Sequence, residues 1–130
     1  MGYTQYWTLQ NAIEQSNWDK FLEGARQIIA TAIDAGIKIE DNSTDSAIFL
    51  NGVGALAHED FVISSEDVGF NFCKTGAKPY DAVVTASLIH AKKIFGDAIE
   101  IKSDGSWTDW EGGRLLYETV FDIQPESVLA

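Results

Sequence analysis

The sequence predicts an α+β domain in which a mostly antiparallel sheet of about five to six strands packs with three helices. Three observations predict it. Trp18, Phe21, Leu22, Ala25, Ile28, Ile29, Ala32 and Ile33 recur at i, i+3, i+4, i+7 spacing, the apolar stripe of a core-facing helix. From Ile37 to Lys74, short apolar runs alternate with clusters of turn residues, the pattern of an antiparallel meander. Two further helical patterns follow that region. One sheet with helices on one face is the simplest packing of these parts.

Taken in order, Tyr3–Leu9 alternates aromatic and polar residues and reads as a strand. Ser16 with Asp19 three residues on resembles a capping box opening the first helix, and Gly36 stands where a C′ glycine belongs. Ile37–Glu40 is a short strand, and residues 41–45 form a polar turn. Ala47–Leu50, Phe61–Ser64 and Phe70–Lys74 are strands, separated by Asn51-Gly52 with Gly54, and by the turn Ser65–Gly69. Pro79 sits near the first turn of a second helix, whose apolar face is Val83, Val84, Leu88, Ala91, Ile94 and Phe95, and Gly96 ends it. Ile99 and Ile101 alternate with Glu100 and Lys102 in a last strand. A third helix carries Trp110, Leu115, Tyr117, Val120 and Phe121; Gly112-Gly113 weakens its start by about 1 kcal/mol per glycine relative to alanine. A single domain spans residues 1–130, with 121–130 read as a tail that frays from Pro125 onward.

Composition bounds the function. The chain has 130 residues, 45% hydrophobic and 12% aromatic, enough for a packed core. No apolar run approaches the roughly 18–20 residues a membrane-spanning helix needs. The amino-terminal residues lack the charge and apolar core of a secretory signal, and Tyr6 stands where a myristoylation signal needs Ser or Thr. A soluble, cytoplasmic protein is expected. Cys73 is the only cysteine, so an internal disulfide and a cysteine-cluster zinc site are excluded. The formal charge of −11 argues against a nucleic-acid polymer as partner. No basic residue lies between Lys38 and Lys74, a stretch carrying seven acidic side chains. It reads as a solvated acidic face or as a surface that docks on a basic protein. There is no His-x-x-x-His, cysteine pair or EF-hand loop, so neither metal nor cofactor is expected.

The stretch 70–81 carries the most chemistry. It reads as a strand ending in a lysine-bearing loop that opens a helix, and helix-start N–H groups beside Lys74, Thr75 and Lys78 suit an anion. If Phe70 and Phe72 enter the core, Asn71, Cys73 and Thr75 face the other way. The bland alternative is a buried cysteine, surface lysines and a proline-started helix. Asp81 either complements the helix dipole or accepts hydrogen bonds from a sugar hydroxyl. His58, beside Glu59, is a turn histidine or a general base near neutral pH, and Cys73, activated by it or by the helix terminus, is the alternative cysteine nucleophile. His90, without a ligand-spaced partner, reads as structural. Trp18, Phe21, Phe95, Trp110 and Phe121 fit helical faces, whereas Tyr6, Trp7, Tyr80 and Trp107 stand where an aromatic can be left exposed to stack on a base.

Several pieces together resemble a family of small, largely uncharacterised proteins of phages and bacterial genomes. They are Gly2-Tyr3-Thr4-Gln5-Tyr6-Trp7, Asn51-Gly52, His58-Glu59-Asp60-Phe61, Phe72-Cys73-Lys74-Thr75, Lys78-Pro79-Tyr80-Asp81, Phe95-Gly96-Asp97, and Ser103-Asp104-Gly105 followed by a tryptophan. The resemblance covers most of the chain. Members often have a charged residue near positions 76 and 77, where this chain has Gly76-Ala77. The resemblance implies a counter-defence role without supplying a catalytic mechanism. The expected function is non-catalytic sequestration of a small anionic, nucleotide-derived signal. Lys74, Thr75 and Lys78 would hold phosphate, Tyr6 or Tyr80 would stack on the base, and Asp81 or Asp104 would take hydroxyls, with His58 and Cys73 nearby. A homodimer is the default assembly. The alternatives are an enzyme on a phosphorylated or nucleotide substrate, using His58, Cys73 and Asp81, and an acidic inhibitor of a host protein.

Overall fold

The computed structural model describes residues 2–130. The protein is α+β, with three helices and six strands in two small antiparallel sheets among the described residues. In chain order these are β1 (Thr4–Leu9), α1 (Gln15–Asp34), β2 (Glu40–Asp41), β3 (Ala47–Asn51), β4 (Phe61–Ser64), β5 (Gly69–Lys74), α2 (Asp81–Phe95), β6 (Ile99–Ser103) and α3 (Glu111–Phe121). One sheet has the order β5-β1-β6 and the other β2-β3-β4. The meander therefore stops one strand earlier than the sequence pattern suggests. Gly69, at φ 109°, turns the chain away, and β5 pairs antiparallel with β1 instead.

Strand β1 is central because it offers an apolar face and two edges to fill. Gln5, Trp7 and Leu9 point inward and are buried, as do Ile99 and Ile101 from β6. On β5 the parity is the reverse of a buried Phe70 and Phe72. The register sets Phe72 opposite Tyr6 and Phe70 opposite Thr8, so both rings share the outer face while Cys73 is buried. Trp7 and Tyr80, expected as exposed aromatics, are wholly core residues, because one lies on the inner face of β1 and the other is tucked under β5.

Helix α1 buries the predicted stripe from Trp18 to Ala32, but Ile33 ends it on the exposed side. Its start lies one residue before Ser16, with Glu14 at the cap position and no side-chain cap bond, so the expected capping box is absent. Its end is a full Schellman arrangement: Gly36 N–H reaches the Ile33 carbonyl and Ile37 N–H the Ala32 carbonyl, both at 3.0 Å. Helix α2 is buried around most of its circumference, since α1, α3 and β6 all pack on it. Two glycines allow that crowding. A Cβ on Gly24 of α1 would collide with the His90 ring, and one on Gly113 of α3 would collide with Thr85. Beyond α3, Leu129 bridges Ile101 in parallel and Ala130 N–H reaches the Ile101 carbonyl at 2.9 Å. The tail expected to fray instead returns to the edge of β6 and bridges it at Ile101. Among the described residues, no helix is long and apolar enough to cross a membrane.

Candidate functional site

The end of β5 runs into α2 through a tight turn that crosses back over the start of β1. Thr75 and Gly76 both donate their N–H to the Tyr3 carbonyl at 3.1 Å. Gly76 and Ala77 are both left-handed, at φ 62° and 56°, and for Ala77 that conformation costs of order 1–2 kcal/mol. The turn forms one wall of a cleft of about 390 Å³ whose opposite wall is the start of α3. Tyr3, Lys78, Pro79, Asp81, Asp109 and Gly113 line it.

Asp81 is the best-defined group there. Its Oδ1 accepts from Thr75 Oγ1 at 2.6 Å and from Gln5 Nε2 at 3.0 Å. Thr75 and Gln5 are themselves buried, so both donors are fixed. Oδ2 takes no hydrogen bond among the described residues. Burial pushes the carboxyl above its ordinary range, and the bonds from Gln5 and Thr75 work in the opposite direction. Asp109 behaves differently. Exposed at the mouth, it accepts from Ser106 N–H and Oγ at 2.8 and 3.1 Å, and the Ser106 backbone bond lowers its acidity range. Lys78, half-buried on the same turn wall as Asp81, makes no ion pair among the described residues. Burial raises the Tyr3 hydroxyl, which sits so close over Gly105 that a Cβ there would collide with it.

The helix start differs from the anion site expected of it. The N–H groups of Asp81, Ala82 and Val83 already bond the carbonyls of Lys78, Pro79 and Tyr80 at 2.8, 3.2 and 2.9 Å. The turn before α2 coils in the same sense as the helix and uses the donors that would face a ligand. The charged groups of the cleft are side chains: Lys78 and Asp81 on the turn wall, Asp109 on the wall leading into α3.

The remaining predicted residues do not join this cleft. Tyr6 lies on the outer face of the β5-β1-β6 sheet, stacked on Phe70 with centroids 6.0 Å apart, and its hydroxyl donates to Asp104 Oδ1 at 2.9 Å. Asp104 also accepts from Thr4 N–H at 3.0 Å and so fastens the end of β6 to β1. Lys74 shares that outer face, and its exposed ammonium is on neither ion pair among the described residues. His58 holds the Lys74 carbonyl at 2.8 Å through Nδ1 and packs its ring over Gly76. Cys73 is sealed in the core between the Glu59 carbonyl and the Tyr80 hydroxyl. Burial pushes its thiol up to about 12, which opposes formation of a nucleophilic thiolate. The Tyr80 hydroxyl, raised by the same desolvation, donates to the Glu59 carbonyl at 2.5 Å and ties the chain before β4 to the core. His58, Cys73 and Asp81 thus make no hydrogen bond to one another among the described residues.

Sequence reading missed Gln5, Tyr3, Asp109 and Gly113 at the cleft. A buried glutamine in an otherwise alternating aromatic strand is the one local signal, since β1 sends Gln5 inward beside Trp7 and Leu9. No group of three or more His, Cys, Asp or Glu is gathered as a metal site among the described residues. No family model, no curated protein and no solved structure matches the chain.

Proposed function

We propose that the protein binds a small nucleotide-derived molecule in the cleft between the 75–81 turn and α3 and holds it without chemical change. The observation that carries this reading is Asp81: Oδ1 is pinned by two buried donors while Oδ2 has no donor among the described residues. A carboxylate held in this way is preorganised to accept from a ligand hydroxyl or amine, with little ordering cost on binding. Asp109 adds a second acceptor and Lys78 a single positive charge, which together fit a sugar bearing one phosphate better than a polyanion. Thr75 serves as the positioning group for Asp81 rather than as a phosphate ligand. Tight binding without turnover requires no acid–base pair, and the lack of a hydrogen bond linking His58, Cys73 and Asp81 among the described residues accords with that. The resemblance to phage and bacterial proteins supports the finer reading, sequestration of a defence signal in the host cytoplasm.

The test uses Asp81→Asn. The amide oxygen can keep the bonds from Thr75 and Gln5, while the amide nitrogen replaces the Oδ2 acceptor by a donor. Titration calorimetry is run with nucleoside monophosphates, cyclic oligonucleotides and cyclic ADP-ribose isomers. The expected result is binding by the native chain that the variant weakens at least about tenfold, one lost charge-assisted bond. Heat release of the ligand intact supports sequestration; a converted product supports an enzyme. Absence of binding across the panel, or equal binding by the variant, removes the reading.

A further inference from the structure

We infer that two copies of this chain associate through the open edge of β5, pairing Phe70 with Phe72 across a twofold axis to join their sheets. The surface is separate from the cleft, since none of the cleft-lining residues lies on β5.

Backbone directions define the edge. Lys74 turns its N–H and C=O away from β1, to Glu59 Oε1 at 2.9 Å and to Glu59 N–H at 3.1 Å. Directions alternate along a strand, so Phe72 and Phe70 present their N–H and C=O on that same outer side. No partner takes them among the described residues. The opposite edge of the sheet, β6, is met at Ile101 by Leu129 and Ala130. The open edge is also apolar: Val68 is 55% exposed, Phe70 65% and Phe72 50%. An edge of this kind carries none of the proline or central charge that normally prevents strand pairing.

A second copy is the occupant that fits. Each chain carries a formal charge of −11, so copies repel over most of their surfaces. Around Tyr6, Phe70 and Phe72 the outer face is locally balanced, with Lys74 and Lys102 against Glu100 and Asp104. Glu59 occupies the backbone of Lys74, which limits pairing to Phe70 and Phe72 and runs the twofold axis through Asn71. Each Lys74 then comes abreast of Val68 in the second copy, beside its exposed Glu66-Asp67 turn, so opposite charges meet on both sides of the axis.

Sedimentation equilibrium of the whole chain tests this, with hydrogen exchange reading the backbone. The native chain should be a dimer whose Phe70 and Phe72 amides gain protection as concentration rises. Phe72→Glu and Lys74→Glu, both at exposed positions, should each raise the dimer dissociation constant at least about tenfold while leaving the thermal midpoint of the dilute monomer unchanged. The triple variant Lys74→Glu, Glu66→Lys, Asp67→Lys should regain the affinity that Lys74→Glu loses. A native chain that stays monomeric, or whose two amides exchange independently of concentration, overturns the inference. So does a dimer that both single variants leave unchanged, or a triple variant no tighter than Lys74→Glu.

Discussion

The Thr75 hydroxyl donates to Asp81 Oδ1 at 2.6 Å, and with Gln5 on the same oxygen it leaves Oδ2 as the unbonded side of the carboxylate. The bond also opposes the burial that raises Asp81. Thr75→Val, which keeps the shape and removes the donor, should therefore raise the Asp81 carboxyl further above its native position. A carboxyl whose folded pKa exceeds its unfolded value binds more protons in the folded state within that window. Stability then falls as pH rises from the unfolded value, 3.8, through the folded one. The variant should widen that falling window and cost about 1–3 kcal/mol at neutral pH. Carbon-detected NMR titration of Asp81 reads the first effect and urea unfolding the second; an unmoved carboxyl would mean that the Thr75 bond contributes nothing.

The two adjacent glycines of α3 should respond oppositely to alanine. A Cβ at Gly112 meets only the Ala82 Cβ, at 3.5 Å, an ordinary contact. Gly112→Ala should then stabilise by up to about 1 kcal/mol through helix propensity. At Gly113 the added carbon collides with Thr85 Oγ1 and lies 3.0 Å from the Ala86 nitrogen, which is backbone and cannot swing aside. Gly113→Ala should lose about 1–3 kcal/mol despite the better propensity. Thermal unfolding of the two single variants decides it, and equal shifts would mean that α2 and α3 pack less closely than described.

That pair shows what the sequence could and could not convey. Local signals carried the elements: the α1 stripe, Gly36 at its end and the start of α2 near Pro79 all depend on residues a few positions apart. Propensity also identified Gly112-Gly113 as a weak point, but the close approach of α3 to Thr85 is a tertiary fact. The same limit applies to β5. Alternation states that Phe70 and Phe72 share a face, whereas only the pairing with Tyr6 and Thr8 on β1 decides that it is the outer one. At the cleft, Thr75, Lys78 and Asp81 are close in sequence and were legible together. Gln5 reaches Asp81 across 76 positions and Asp109 arrives on another element, so neither could be joined to them from spacing.

Cys73 should be chemically silent in the folded protein. Its thiol is wholly buried and pushed up to about 12, so almost none is thiolate at pH 8. Iodoacetamide at pH 8 should leave the native chain unlabelled over hours and label it in strong urea, with whole-protein mass spectrometry as the readout. Prompt labelling of the native chain would show that the core around Cys73 and Tyr80 opens readily.

His90 gives the fold a dependence on pH in the opposite sense to Asp81. Its ring stacks between Phe21 and Phe121, at 5.5 and 4.9 Å between centroids, above Gly24. Nε2 is buried without a hydrogen-bond partner among the described residues, and desolvation lowers the pKa from 6.5 against the nearby Lys20 and Phe21 backbone, which pulls the other way. The unfolded chain therefore binds the proton more readily than the folded one. Stability from the neutral ring is complete above pH 6.5 and is lost as pH falls toward the lowered folded value. His90→Phe keeps an aromatic ring in the stack and removes the titration, so its urea midpoint should be flatter than the native one between pH 7 and 5. The effect at Asp81 runs the other way and falls at carboxylate pH, so the two separate along the pH axis. A native midpoint that does not drop through this window, or a variant with the same drop, would show that His90 is not the group responsible.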